Sequence, residues 1–169
     1  MIDNELSYLY ILDTTGTEQF SALRGQFLSA GHGFLLMYSI TSRNSFDKVQ
    51  SYYREIPGFQ ENGYFPMVMV GNHCRREKER QVTFNEGKGL ATSIGCPFFE
   101  ADVQDGYNVE AAFVELVRNI RRYNRGYRDW EVRRGLPQMK RGRDRVPEGL
   151  DFGILTDPRN PPSANGPIH

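Results

Sequence analysis

The phosphate cradle G-x-x-x-x-G-K-[ST] occurs nowhere in these 169 residues, so no lysine-capped ring of glycine amides is at hand for a triphosphate. Cysteine is scarce. Cys74 and Cys96 form no C-x-x-C pair, which excludes a disulfide framework and points to a reducing, cytoplasmic setting. Three scattered histidines (His32, His73 and His169) suggest no metal cluster. No apolar run approaches the roughly 20 residues that span a bilayer, and the first residues lack a signal-peptide pattern. Net charge is absent too, with 21 basic residues against 21 acidic ones.

That zero conceals a division. Residues 1–120 hold 10 basic and 15 acidic side chains, whereas residues 121–169 hold 11 basic and 6 acidic. Six of the nine prolines lie at or beyond Pro137. Charge and proline together separate a folded part, residues 1–124, from a basic and then Gly/Pro-rich tail, residues 125–169, predicted to be disordered.

Within the folded part, short apolar runs alternate with helix-like segments. Strands are predicted over 6–12, 34–40, 67–70 and 97–99; each is continuously apolar, as in a parallel sheet covered on both faces. Helices are predicted over 21–30, 45–55, 83–92 and 108–123. The third opens on Thr83-Phe84-Asn85-Glu86, a capping-box spacing. The fourth carries Val109, Phe113, Leu116, Val117 and Ile120 as one stripe at helical period. Such alternation predicts a doubly wound α/β sheet. Asp13, Thr41, Asn72 and Glu100 all fall just past strands, on the rim where open α/β sheets bind ligands.

Asp13-Thr14-Thr15-Gly16 follows the first apolar run directly. A strand-end aspartate can reach a bound magnesium, and a glycine amide can approach a phosphate without a side chain between them. From here the chain resembles the later two-thirds of a Ras-family small GTPase. Residues 13–24, D-T-T-G-T-E-Q-F-S-A-L-R, resemble the family's D-T-A-G motif and second switch helix. Residues 34–41 resemble its fourth strand, and residues 67–72 the strand leading into the N-K-x-D guanine motif. Residues 117–123 resemble the end of its last helix. Ile2-Asp3-Asn4-Glu5 resembles the turn between its second and third strands. The resemblance implies a P-loop NTPase-like, Ras-like fold with a mostly parallel sheet. It also implies that the family's first strand, phosphate loop and first helix have no counterpart in these residues. Because that first strand lies centrally in the family, its absence is expected to leave two inner edges open to aggregation or to a partner strand.

The family's chemistry transfers only in part. By resemblance, Asp13 is the magnesium ligand and Gly16 offers its amide to the terminal phosphate. Thr17 takes the place of the water-positioning glutamine; its hydroxyl is too short for that role, although the Rap branch shares T-E-Q-F and relies on a partner to complete hydrolysis. The guanine motif reads Asn72-His73-Cys74-Arg75. His73 replaces the lysine, and Arg75 replaces the aspartate that accepts two hydrogen bonds from guanine. A guanidinium has donors only. At about 1.5–3 kcal/mol for each charge-assisted bond, the change removes roughly 3–6 kcal/mol, about two to four powers of ten in affinity. Asp102-Val103-Gln104 stands where the family has S-A-K, with only the Val103 amide able to serve the base. GTP or GDP and magnesium are therefore cofactors of the family that this chain is predicted to bind very weakly or not at all. The resemblance so implies a signal-transduction protein of the GTPase family, with a pseudo-GTPase protein-interaction module or a non-functional fragment of a longer GTPase as the alternatives.

Partners follow from the same comparison. Residues 17–30, the switch-like region, are the expected contact for effector or regulator proteins. A C-a-a-X cysteine is lacking, since no cysteine follows Cys96, and no lipid anchor is expected. Residues 121–145 hold ten basic and three acidic side chains interleaved with Tyr123, Tyr127 and Trp130. That stretch reads first as a solvated helix extension running into a disordered tail, with weak contact to anionic membrane or RNA as the alternative.

Overall fold

A computed structural model of the protein describes residues 1–15, 31–55, 65–133 and 153–156. The chain opens on a tight turn. Ile2 and Glu5 exchange two backbone hydrogen bonds of 3.0 Å, and between them Asp3 and Asn4 have φ of 53° and 61°. Two successive left-handed residues make a type I′ turn, for which Asn and Asp are suited. Strands β1 (Leu12–Thr15), β2 (Phe34–Ser39), β3 (Met67–Asn72), β4 (Phe98–Glu100) and β5 (Gly153–Thr156) form one sheet in the order β1-β5-β2-β3-β4. Every strand pairing is parallel. Helices α1 (Arg43–Glu55), α2 (Phe84–Ile94) and α3 (Val109–Arg133) connect them, with a 3-10 turn at Glu77–Glu79.

Side-chain alternation along β2 and β3 builds two cores. Phe34, Leu36, Tyr38, Met67 and Met69 face α1 and α2, meeting Phe46, Val49 and Ala91. Leu35, Val68 and Val70 face the other way onto Ala112 and Leu116 of α3, with Phe113 and Ile120 packed beside them. Both strands are apolar on both sides because helices cover both sides, as predicted. Ser42 caps α1, its Oγ accepting from the Ser45 amide at 3.3 Å, and Gly95 ends α2 in the left-handed conformation at φ 80°.

Beyond shifts of one or two residues at element ends, three differences from the sequence reading stand out. The first strand begins at Leu12, where the apolar run 6–12 was expected to end. Register explains this: the neighbouring strand pairs from Leu12↔Gly153 onward, while Leu6, Tyr8, Tyr10 and Ile11 stay exposed, Tyr8 at 76%. Helix α3 continues to Arg133, past the boundary drawn at 124. β5 lies in the segment read as tail. It fills the gap between β1 and β2, the place that the resemblance reserves for the family's first strand. The predicted helix over 21–30 lies outside the described residues.

Candidate functional site

The carboxyl ends of β1 to β4 form one rim, and the predicted base-recognition residues gather at its β3–β4 end. Asn72 closes β3. Its Oδ1 accepts from the His73 amide at 2.8 Å and from the Val103 amide at 3.2 Å. The Val103 amide predicted to serve a base thus donates to Asn72, tying the two loops together. His73 turns the chain with φ 64° and is only 9% exposed. Its Nδ1 lies 3.0 Å from Ser39 Oγ, which also bonds Thr41 Oγ1 at 2.8 Å. Burial lowers the imidazole's pKa despite the nearby Asp102 carboxylate, so the ring is neutral at pH 7 and carries none of the charge of the lysine it replaces.

Arg75 and Asp102 complete the closure. Asp102 is 2% exposed, with Oδ2 accepting from the Arg75 amide at 3.3 Å and Oδ1 from the Gln104 amide at 3.1 Å. A carboxylate so placed holds a loop by its backbone. The Arg75 side chain turns to Asp105, Nε to Oδ2 at 3.1 Å, and its guanidinium lies 4.5 Å from the centre of the Tyr107 ring. Asp105 and Tyr107 were not singled out in the sequence. They reach Arg75 because the loop folds back in a bridge between Asp102 and Tyr107, a fold that hydropathy does not signal.

Glu100, noted as a strand-end polar residue, is spent in a half-buried bidentate pair with Arg80, at 2.6 and 2.9 Å. Both cysteines are free. Burial raises the Cys74 thiol and pushes Cys96 up to about 11, so neither is a ready thiolate at neutral pH. Asp13 is exposed on β1, three strand spacings from β3, roughly 14 Å away. Gly16 and Thr17 lie outside the described residues.

The arrangement can be tested against the family's ligand. The recognition edge of guanine presents N–H donors. The site opposes them with Arg75, also a donor, while both Asp102 oxygens accept from the chain's own amides. These residues do not fit that base. Asp13 offers magnesium one carboxylate, and magnesium sites of this kind are completed by the nucleotide's phosphates. Among the described residues no group of three His, Cys, Asp or Glu could hold a metal by itself, and no helix is long and apolar enough to cross a membrane.

Comparisons with known proteins identify the family. The sequence model of the Ras family matches residues 1–122. A Ras-like protein of Laccaria bicolor is 47% identical over 125 residues, which cover 74% of this chain and 60% of that relative. Ras-like protein 1 of Saccharomyces cerevisiae is 46% identical over 121 residues, covering 72% of this chain and 39% of that protein. The chain thus spans about 60% or less of the length of these curated relatives. With a family match over residues 1–122, which takes in β1 to β4, the first two helices and the first half of α3, the chain belongs to the Ras family of small GTPases.

Proposed function

We propose that this chain is a Ras-family signal-transduction protein in which guanine-nucleotide binding is absent or very weak, leaving protein interaction as its activity. One observation carries the reading: Arg75, which by resemblance takes the guanine-accepting position, is bound to Asp105 and Tyr107. To admit guanine, Arg75 would have to leave both partners and would still offer no acceptor.

The interaction role falls to residues 17–30, the family's switch-like region, with effector or regulator proteins as partners. The basic stretch is a weaker candidate for contact with anionic membrane or RNA. Arg121 is committed to Ile2, Glu5 and Ser7, and Arg122 to Glu115 and Asn119. Titrating a fluorescent GTP analogue into the purified 169-residue chain with magnesium tests the nucleotide reading. No saturable signal is expected, and magnesium-dependent binding at micromolar affinity or tighter would overturn it.

A further inference from the structure

One strand of the sheet is out of chain order. β5 lies between β1 and β2 and runs parallel to both. Leu12–Thr15 pairs with Gly153–Thr156 over four positions, and Phe34, Leu35 and Leu36 pair with Gly153, Ile154 and Leu155. Among the described residues β1 has no other ladder partner, so β5 alone joins β1, and with it Asp13, to the rest of the sheet.

We propose that the gap between β1 and β2 is a strand-acceptor site whose ligand is the chain's own segment Gly153–Thr156, bound as a separable strand. The segment suits the role chemically. Gly153-Ile154-Leu155-Thr156 carries no charge and no proline, and Ile and Thr favour extended backbone. Asp151-Phe152 precedes it, and Asp157-Pro158 follows it; proline cannot donate to a ladder, which limits how far the ligand extends. Reach is ample. The 19 residues between Arg133 and Gly153 span up to roughly 65 Å when extended, more than a small domain's width.

The gap supplies the attraction. With the segment removed, β1 and β2 would face each other across two rows of unpaired amides and carbonyls in the middle of the sheet. A strand that satisfies both rows makes the main-chain bonds typical of strand addition, with the difference that the added strand is internal. It also binds late. Leu12 and Gly153 are 141 positions apart, whereas β2, β3 and β4 join through successive short crossovers, and distant pairings form after local ones.

This inference goes beyond the nucleotide reading, and its test reads folding. Amide hydrogen exchange on the full chain comes first, with residues 154–156 expected to exchange at least about 100-fold slower than an unstructured segment. Leu155→Pro removes one ladder donor in a central strand. It is expected to lower the melting temperature by roughly 5–10 °C, whereas Ala164→Pro, outside the strand, should leave it unmoved. A synthetic peptide of residues 149–160 should restore the melting temperature of Leu155→Pro, and the same peptide carrying Leu155→Pro should not. If Leu155→Pro gives no folded chain, recovery of a cooperative transition on adding the parent peptide reads the same property. Unprotected amides at 154–156 would overturn the proposal, as would a Leu155→Pro chain that melts like its parent or gains nothing from the peptide. Protection that appears only with concentration-dependent dimers would assign the gap to a second copy and equally overturn it.

Discussion

Tyr38 carries a hydroxyl from the sheet into the core. The residue is 2% exposed, and among the described residues its Oη has no hydrogen-bond partner. Burial raises the phenol's pKa, the nearby Glu100 carboxylate adding to it, so the group stays neutral at any ordinary pH. The space around it is tight: a Cβ added at Gly87 would sit 2.1 Å from Oη, and one added at Gly71 2.9 Å from it. Two glycines therefore make room for a polar atom that is left unsatisfied. A buried unpaired hydroxyl costs about 1–3 kcal/mol, and deleting one oxygen opens only a small void. The first effect is the larger, so Tyr38→Phe is expected to stabilise the protein by about 1 kcal/mol. A urea titration checks it: the midpoint should rise with the slope unchanged, and a lower midpoint would show that the hydroxyl has a partner. Asn119 presents a similar case on α3, with a buried Nδ2 that lacks a partner among the described residues. Neither residue announces itself in the sequence, because an unsatisfied polar atom is a property of its surroundings.

At the scale of single elements, legibility depended on whether the signal was local. The capping box at the start of α2 was, and it is present in full: the Glu86 amide donates to Thr83 Oγ1 at 3.3 Å, and the Thr83 amide to Glu86 Oε2 at 2.9 Å. The stripe of α3 was local too, and it buries Leu116 and Val117 as its period implied. What could not be read is that Glu86 has a distant partner. Arg43, at the start of α1, donates to Glu86 Oε1 at 2.7 Å, tying the starts of the two helices that share one core. That bond first, and the two Thr83 bonds after it, hold the Glu86 carboxyl at about 2, below its ordinary 4.5. A carboxylate whose pKa is lowered by folding contributes stability that is complete above about 4.5 and is lost as pH falls towards about 2. Across that window the melting temperature of the parent chain is expected to fall more than that of Glu86→Gln, so the two curves converge in acid. Curves that stay parallel from pH 5 to pH 2 would show that the pair carries no linkage.

Over the whole molecule, order along the sheet was legible and closure was not. The run of four strands and the rim they share followed from apolar periodicity and from the family resemblance. So did the grouping of Asn72, His73, Arg75 and Asp102, although the resemblance could not show that they bond to one another and to Asp105. β5 was unreadable for a different reason. Four apolar or small residues between acidic and proline-rich flanks have no strand signal of their own, and only two waiting strands give them one. The placement of the first residues is likewise a long-range matter. Arg121 on α3 donates from one terminal nitrogen to the Ile2 carbonyl at 2.9 Å and from the other to Ser7 Oγ at 2.6 Å, and its Nε lies 3.2 Å from Glu5 Oε2. Arg118, one turn earlier, takes Asp3 in a bidentate pair. With the apolar residues 6–11 largely exposed, charge and hydrogen bonding hold this arm to the helix. Arg121 is the inner member, its side chain 20% exposed against 45% for Arg118, so its bonds are screened less by water. Arg121→Ala is therefore expected to release residues 2–7 while leaving the β2–β3 core intact, at a cost of about 1 kcal/mol. Amide exchange should speed at Ile2 and Glu5, whose amides close the turn, and stay unchanged at Val68 and Met69. If Ile2 and Glu5 keep their protection, the arm is held by something other than this clamp.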